Sequence, residues 1–354
     1  MSWEDGVRKV VPYVPGEQPK QAGIIKLNTN ENPYPPAPGV KKALDRMDHG
    51  EFRLYPDPES GILVKALAAY YGVSEKQVFV GVGSDDVLAM AFLTFFNTGR
   101  PILFPDITYS FYDVWADLFR MPYEQIPLDD AFQIRTEDYI GRECGGIVIA
   151  NPNAPTGAFL PLAEIEKIIA ANRDVVVIVD EAYVDFGAES ALPLLKKYDN
   201  LLVVQTISKS RAMAGMRIGY AFGNEKLIGY LSDCRFSFNS YTMNRPALAA
   251  GAAALADEAY FKEICGRIIK TRERVKEEFR ELGFSFADSR TNFVFAAHEK
   301  VPAKEIFEML KEKKIYVRYF AKPRIDNYLR ITIGTDEEMD RLLSVLREYL
   351  AGRN

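Results

Sequence analysis

The chain has 354 residues, 48% of them apolar, and 44 Lys and Arg stand against 49 Asp and Glu for a formal net charge of −5. That length supports two domains and a sizeable core, and an acidic balance without any basic block argues against a nucleic-acid partner. Three scattered cysteines (Cys144, Cys234, Cys265) match no metal spacing and no disulfide framework, so a reducing cytosol is expected, and two histidines (His49, His298) leave little basis for histidine triads or His-rich metal sites.

The N-terminal MSWEDGVRKVVPYVPGEQ has no apolar signal region, and no uninterrupted apolar run approaches membrane-spanning length. A cytoplasmic protein without a membrane partner is expected. Residues 1–30 read as a proline-punctuated arm, with Tyr13 between Pro12 and Pro15 as a candidate substrate contact. Residues 26–36, KLNTNENPYPP, alternate Asn and Pro too often for a helix and read as a specified loop. Asn30 in that loop is a second candidate substrate contact. Arg53-Leu54-Tyr55-Pro56 follows.

Residues 78–82 read as a strand, and Gly83-Ser84-Asp85-Asp86 opens an apolar helix through Phe96. A glycine-rich turn feeding a helix N-terminus is an anion site, because free N–H groups and the helix dipole face the ligand. GVGSDD falls short of a dinucleotide fingerprint, since Asp86 stands where the third glycine belongs. A dehydrogenase is therefore a weak reading. Residues 102–104 form a strand followed by Thr108-Tyr109. Residues 146–150 form another, running into Asn151-Pro152-Asn153-Ala154-Pro155-Thr156-Gly157. Leu162, Ile165, Ile168 and Ile169 make the stripe of a crossover helix.

The run 175–179 is wholly β-branched, as suits a strand buried on both faces of a parallel sheet, and Asp180 ends it. A second apolar strand, 201–207, carries Thr206 and leads to Ser208 and Lys209. Parallel α/β sheets place ligands at the carboxyl ends of their strands. Asp180, Tyr183, Lys209 and Arg217 are thus expected to converge on one crevice. Residues 217–222 read as a strand and 236–241 as a polar–aromatic loop able to line the site. A long amphipathic helix over 260–282 ends at Gly283 and suits a bridge to a smaller C-terminal domain. There, strands at 293–295, 315–318 and 328–333 alternate with helices at 303–313 and 336–350. Thr335 with Glu338 fits a capping box. Arg318 and Arg330 lie inside apolar strands, where an arginine usually has an anionic partner, structural or bound.

These residues, in this order, resemble the fold-type-I pyridoxal-phosphate (PLP) aminotransferases over nearly the whole chain. S-K-x(7)-R is matched by Ser208, Lys209 and Arg217, and D-x-A-Y by Asp180, Ala182 and Tyr183. Residues 27–33, LNTNENP, resemble the more specific signature of the histidinol-phosphate aminotransferases. The resemblance implies an α/β fold: a large domain (31–245) with a mainly parallel sheet flanked by helices, and a smaller α/β domain (246–354 with its bridging helix) that the arm 1–30 joins. It implies PLP as cofactor, with Lys209 as the Schiff-base lysine, Asp180 as partner of the pyridine nitrogen and Tyr183 facing the ring hydroxyl. Arg217, Ser84 and Asp85 would cradle the phosphate beside Thr206 and Ser208, and Tyr109 would stack on the ring. Tyr55 would reach the partner subunit's cofactor phosphate in a homodimer. Where the family usually reads N-P-T-G this chain has Ala154 for the asparagine; Asn153 is the candidate substitute, unless Tyr183 carries the ring oxygen alone. Arg330 matches the arginine for the substrate's α-carboxylate, and Arg318 the one for a distal phosphate or the γ-carboxylate of glutamate.

The chemistry suits each choice. A lysine amine condenses with an aldehyde, a carboxylate keeps the pyridine nitrogen protonated so that the ring draws electrons, and an arginine fork fits a phosphate. The implied reaction moves an amino group between histidinol phosphate and 2-oxoglutarate, giving imidazole-acetol phosphate and glutamate in histidine biosynthesis. An aromatic amino-acid aminotransferase, a phosphothreonine decarboxylase of the same fold and a non-catalytic PLP-fold regulator are the rivals. The regulator would need a fused DNA-binding segment, for which a 30-residue arm is too short.

Overall fold

A computed structural model describes residues 2–352. Its strands in chain order are β1 (Ile25–Lys26), β2 (Val78–Gly81), β3 (Ile102–Pro105), β4 (Tyr123–Ile126), β5 (Gly146–Ala150), β6 (Val177–Asp180), β7 (Leu201–Thr206), β8 (Gly219–Phe222), β9 (Phe284–Phe286), β10 (Phe293–His298), β11 (Ile315–Tyr316), β12 (Arg318–Tyr319) and β13 (Leu329–Thr332). Its α-helices are α1 (Pro38–Asp45), α2 (Gly61–Tyr71), α3 (Ser84–Phe95), α4 (Tyr112–Phe119), α5 (Leu162–Ala171), α6 (Glu225–Phe238), α7 (Arg245–Ala256), α8 (Glu258–Glu281), α9 (Ala303–Glu312) and α10 (Asp336–Ala351).

Seven strands form the main sheet in the order β2-β8-β7-β6-β5-β3-β4. All its pairs are parallel except those of β8, which runs antiparallel to both β2 and β7. The expected mainly parallel α/β architecture is present. β5, β6 and β7 are buried at every residue. Successive side chains point to opposite faces of a strand. Val177 and Val179 accordingly pack into one core with α2, α5 and α7, and Ile178 into another with α3 and α4. Helices thus cover both faces of the sheet, and only the strand ends are free to build a site.

The other sheet is antiparallel, β12-β13-β10-β9, and packs on α8, α9 and α10. The long helix α8 ends before Gly283, whose φ of +81° suits glycine. Thr335 and Glu338 form the expected capping box on α10. β1 pairs in parallel with β11, which fastens the end of the arm.

Three expectations are corrected. The strand foreseen at 315–318 is two: β11 pairs with β1 and β12 with β13, so the chain changes sheets at Val317. Arg217 lies before β8 in a left-handed turn with φ +52°, outside the strand expected to begin there. Residues 236–238 close α6 rather than forming a loop. Among the described residues no helix is long and apolar enough to cross a membrane.

Candidate functional site

Asp180 is the last residue of β6 and is 5% exposed. Its Oδ2 accepts the Tyr112 hydroxyl at 2.8 Å and its Oδ1 the Ala182 N–H at 3.2 Å. Burial nevertheless pushes the carboxyl up to about 6. Three residues beyond β7, Lys209 directs Nζ at the Thr29 carbonyl, 3.3 Å away. Burial, and then the charge of Arg330, lower its ammonium to about 8. An acid and an amine, each desolvated and, among the described residues, neither paired with an opposite charge, therefore face one cavity together with Tyr183. Tyr183 accepts the Asn30 amide N–H at 2.8 Å and packs edge-on against Phe293.

The N-terminus of α3 supplies the anion-binding end of this cavity. Gly83 caps the helix with φ +85°, and a Cβ there would lie 2.5 Å from Arg217 Nη2. A Cβ on Gly219 would meet the Ser84 nitrogen at 2.2 Å. Gly219 is required by this close approach of backbone, and Gly83 by its left-handed φ. The first N–H groups of the helix, at Ser84 and Asp85, have no intrahelical partner. Arg217 Nη2 lies beside them, 3.3 Å from Asp85 Oδ2, and Tyr109 donates to Asp85 Oδ1 at 2.7 Å. Thr206 Oγ1 lies 2.9 Å from both Ser208 Oγ and the Ile218 carbonyl, and it accepts the Ser208 N–H at 3.1 Å. These bonds shape the turn that leads to Lys209.

An outer cavity of about 450 Å³ opens from the inner one, between the arm and the antiparallel sheet. Arg318 and Arg330 lie directly opposite each other on β12 and β13, a placement in which like charges repel. Arg330 Nη2 donates to the Asn28 carbonyl at 2.9 Å, its Nε is buried without a partner, and the guanidinium lies over Phe293 and Phe320. Arg318 donates to the carbonyls of Val14 and Pro15 at 3.3 and 3.5 Å. Among the described residues neither forms an ion pair, so the structural salt bridge considered from the sequence is not there. Tyr13 also lines this cavity and stacks on Phe111 with ring centroids 4.1 Å apart. Asn30 lines it too, but both its amide atoms are already bonded.

Two expected residues are not brought in. Asn153 is 4% exposed, accepts the Thr108 hydroxyl, and donates to the Ile107 carbonyl and Thr156 Oγ1, each at 2.8–2.9 Å. Its amide is spent on Thr156 in its own turn and on the 107–108 stretch beside it, whereas Ala154 lines the cavity. Asn153 therefore does not substitute for the missing asparagine. Tyr55 is 76% exposed, stacks on Tyr241 and lines neither cavity in its own chain. The 236–241 stretch also stays outside both cavities. Conversely, Tyr112, Asn32 and Phe320 had not been singled out. Asn32 Nδ2 donates to the Lys209 carbonyl at 2.9 Å and braces it. Tyr112 carried one faint signal, a phenol three residues past Tyr109 at the start of a largely apolar helix.

The profile of the aminotransferase class I and II family matches residues 22–346, and the chain belongs to that family. It is 51% identical over 353 residues to the histidinol-phosphate aminotransferase of Lactococcus lactis subsp. cremoris (strain MG1363), covering 100% of this chain and 99% of that one. It is 54% identical to the protein of the same name from Marinomonas sp. (strain MWYL1), over 98% of each chain. Among solved structures, the histidinol-phosphate aminotransferase of Sinorhizobium meliloti in complex with pyridoxal-5'-phosphate superposes with a TM-score of 0.83 at 27% identity, over 94% of this chain and 92% of that one.

Proposed function

We propose that this chain is a pyridoxal-phosphate-dependent transaminase that exchanges the amino group of L-histidinol phosphate with 2-oxoglutarate, in the cytoplasm and as a homodimer. The observation that carries the reading is the inner cavity: a neutralisable amine, an unpaired acid and a helix N-terminus beside an arginine, all at the strand ends of one sheet. That donor set fits the cofactor. Lys209 suits an aldehyde, Asp180 a ring nitrogen, and the α3 N-terminus with Arg217 and Ser84 a phosphate. When bound, the cofactor supplies a ring that draws electrons from the reacting carbon.

The chain's own groups do the rest. Asp180, short of a cation, holds the proton on the ring nitrogen, and Tyr112 holds Asp180. Lys209 Nζ, its basicity reduced by burial, takes and returns the proton at the α-carbon near neutral pH. Tyr109 covers the ring from one side. Arg330 holds the group next to the reacting carbon and Arg318 the distal anion, so that one guanidinium pair receives either a phosphate or the carboxylates of glutamate. Three free cysteines support a reducing compartment. Residues 31–245 would act as the large domain, and the arm with residues 246–354 as the smaller one. Tyr55 is exposed and stacks on Tyr241, and its chain neighbours Phe52 and Leu54 are exposed as well, which supports its reaching the partner subunit's site.

Steady-state assays of the PLP-loaded protein with histidinol phosphate, phenylalanine and phosphothreonine, each with 2-oxoglutarate, test this. The reading expects histidinol phosphate to have the highest kcat/KM. A phenylalanine preference favours an aromatic aminotransferase, and release of carbon dioxide from phosphothreonine favours a decarboxylase.

A further inference from the structure

Tyr183 has one hydroxyl proton, and its hydrogen bonds decide whether that proton is available to the inner cavity. The direction is set two residues removed. Thr332 ends β13 and is 2% exposed. Its Oγ1 accepts the backbone N–H of Asn30 at 3.1 Å and donates to Asn30 Oδ1 at 3.0 Å. This leaves the NH₂ of the Asn30 amide facing Tyr183, where it donates to Oη at 2.8 Å. The phenol oxygen is therefore the acceptor of that bond, and its own proton stays free.

Asn30 cannot move aside. It is 1% exposed, its backbone takes a left-handed φ of +56°, and its carbonyl accepts the Asn292 amide at 3.0 Å. Its amide, however, is nearly symmetric in shape. Without the Thr332 hydroxyl it can turn over, present Oδ1 to Tyr183 and consume the phenolic proton. Ala154 gives this bond its weight. The Ala154 side chain has no donor, and the Asn153 amide is committed to Ile107 and Thr156. Arg330 and Thr332 are two apart on β13 and so share a face of the strand.

We propose that Thr332 is a positioning residue: acting through Asn30, it orients the Tyr183 hydroxyl to donate into the cofactor cavity, and it ties that orientation to the seating of the strand that carries Arg330. The proposal rests on the PLP reading above.

The test is a pH titration of the visible absorbance of the lysine-bound cofactor in the holoenzyme. A donor to the ring oxygen favours its charged form, so losing the donor raises the apparent pKa of that chromophore. Thr332→Val, the same shape without the hydroxyl, should raise it by about one unit, a tenfold change in the equilibrium. Tyr183→Phe should raise it at least as far, and Thr332→Ser should restore the parent value. The kcat of Thr332→Val should fall while KM for the amino donor changes less. Should Thr332→Val fail to fold, Thr332→Ala, which only removes atoms, carries the same expectation. A shift in Tyr183→Phe with none in either Thr332 variant overturns the relay and leaves the cofactor reading intact. No shift in Tyr183→Phe overturns the relay at its end point. A parent protein with no lysine-bound chromophore overturns both.

Discussion

Asp180 ends and Lys209 follows adjacent strands of a sheet buried on both faces, whereas Arg318 and Arg330 ride on a smaller antiparallel sheet and meet their cavity under an arm with no helix or strand between Gly6 and Ile25. In the inner cavity the polar groups are held: Asp180 by Tyr112 and Ala182, Tyr183 by Asn30, and the Lys209 backbone by Asn32. In the outer cavity the charges wait. Among the described residues Arg330 Nε has no partner, and Arg318 holds two carbonyls of the arm and lies over the Phe320 ring. A preorganised cavity suits charge that develops during reaction, and an unfilled one suits a substrate that brings its own anion. Damage to the inner cavity should therefore appear in kcat. Damage to the outer one should appear in the choice between substrates.

The sharpest break of this contrast is Lys209→Ala. Turnover should fall by more than about 10⁴-fold, because the proton-transfer and covalent roles are lost together. The variant should still bind PLP through Arg217 and the α3 N-terminus. Borohydride should fix the cofactor to Lys209 in the parent, and a labelled peptide containing another lysine would displace this assignment.

Asp180→Asn comes next. Its shape is kept and its charge removed, so kcat should fall by about 10²- to 10⁴-fold while the folded structure persists in circular dichroism. Activity close to the parent's would make the strand-end acid structural and erase the distinction between the cavities.

Arg318→Ala tests the outer side. Removing one partner of a desolvated charge pair costs roughly 2–5 kcal/mol, or about 30- to several-thousand-fold in kcat/KM at 1.4 kcal/mol per factor of ten. Histidinol phosphate and glutamate should lose together, and phenylalanine, without a distal anion, should be spared. Equal loss on all three would make Arg318 structural. Loss on glutamate alone would favour the aromatic aminotransferase.

Tyr55 extends the comparison to a second subunit. If Tyr55 reaches the partner subunit's site in a homodimer, Tyr55 and Lys209 variants spoil different composite sites, and mixed heterodimers should regain one intact site, up to about a quarter of parental activity if half the dimers in an equal mixture are mixed. No recovery once subunit exchange is verified would return Tyr55 to its own chain.

The smallest effect is a pH dependence of the cofactor-free protein. Burial raises the Asp180 carboxyl from its ordinary 3.8 to about 6. Between those values the folded state binds the extra proton, so stability falls as pH rises from about 4 to 6. Asp180→Asn should remove up to roughly 3 kcal/mol of that fall. Lys209 acts in the opposite sense at higher pH. Its folded value of about 8 lies below the ordinary 10.5, so stability rises as pH climbs between them. Thermal melts of the parent, Asp180→Asn and Lys209→Ala across pH 4 to 10 check both signs.

Much of the inner cavity was legible along the chain. β5, β6 and β7 are mostly β-branched or aliphatic runs whose burial on both faces dictates their composition, and the crevice lies at their carboxyl ends, where Asp180 and Lys209 fall. Hence Asp180, Lys209 and the glycine turn before α3 could be read directly. The amphipathic period of α8 and the cap of α10 are equally local. What lay beyond the sequence depends on partners far away in it. The run 315–318 splits because β1 and β13 claim its two halves. Asn153 is withdrawn because Ile107 and Thr108 happen to lie beside its turn. Whether Arg318 and Arg330 are paired could not be known until packing showed that no carboxylate among the described residues reaches either. Local periodicity records which face of an element is buried. Only the tertiary structure decides which polar atoms are used up in building the protein and which are left for a ligand.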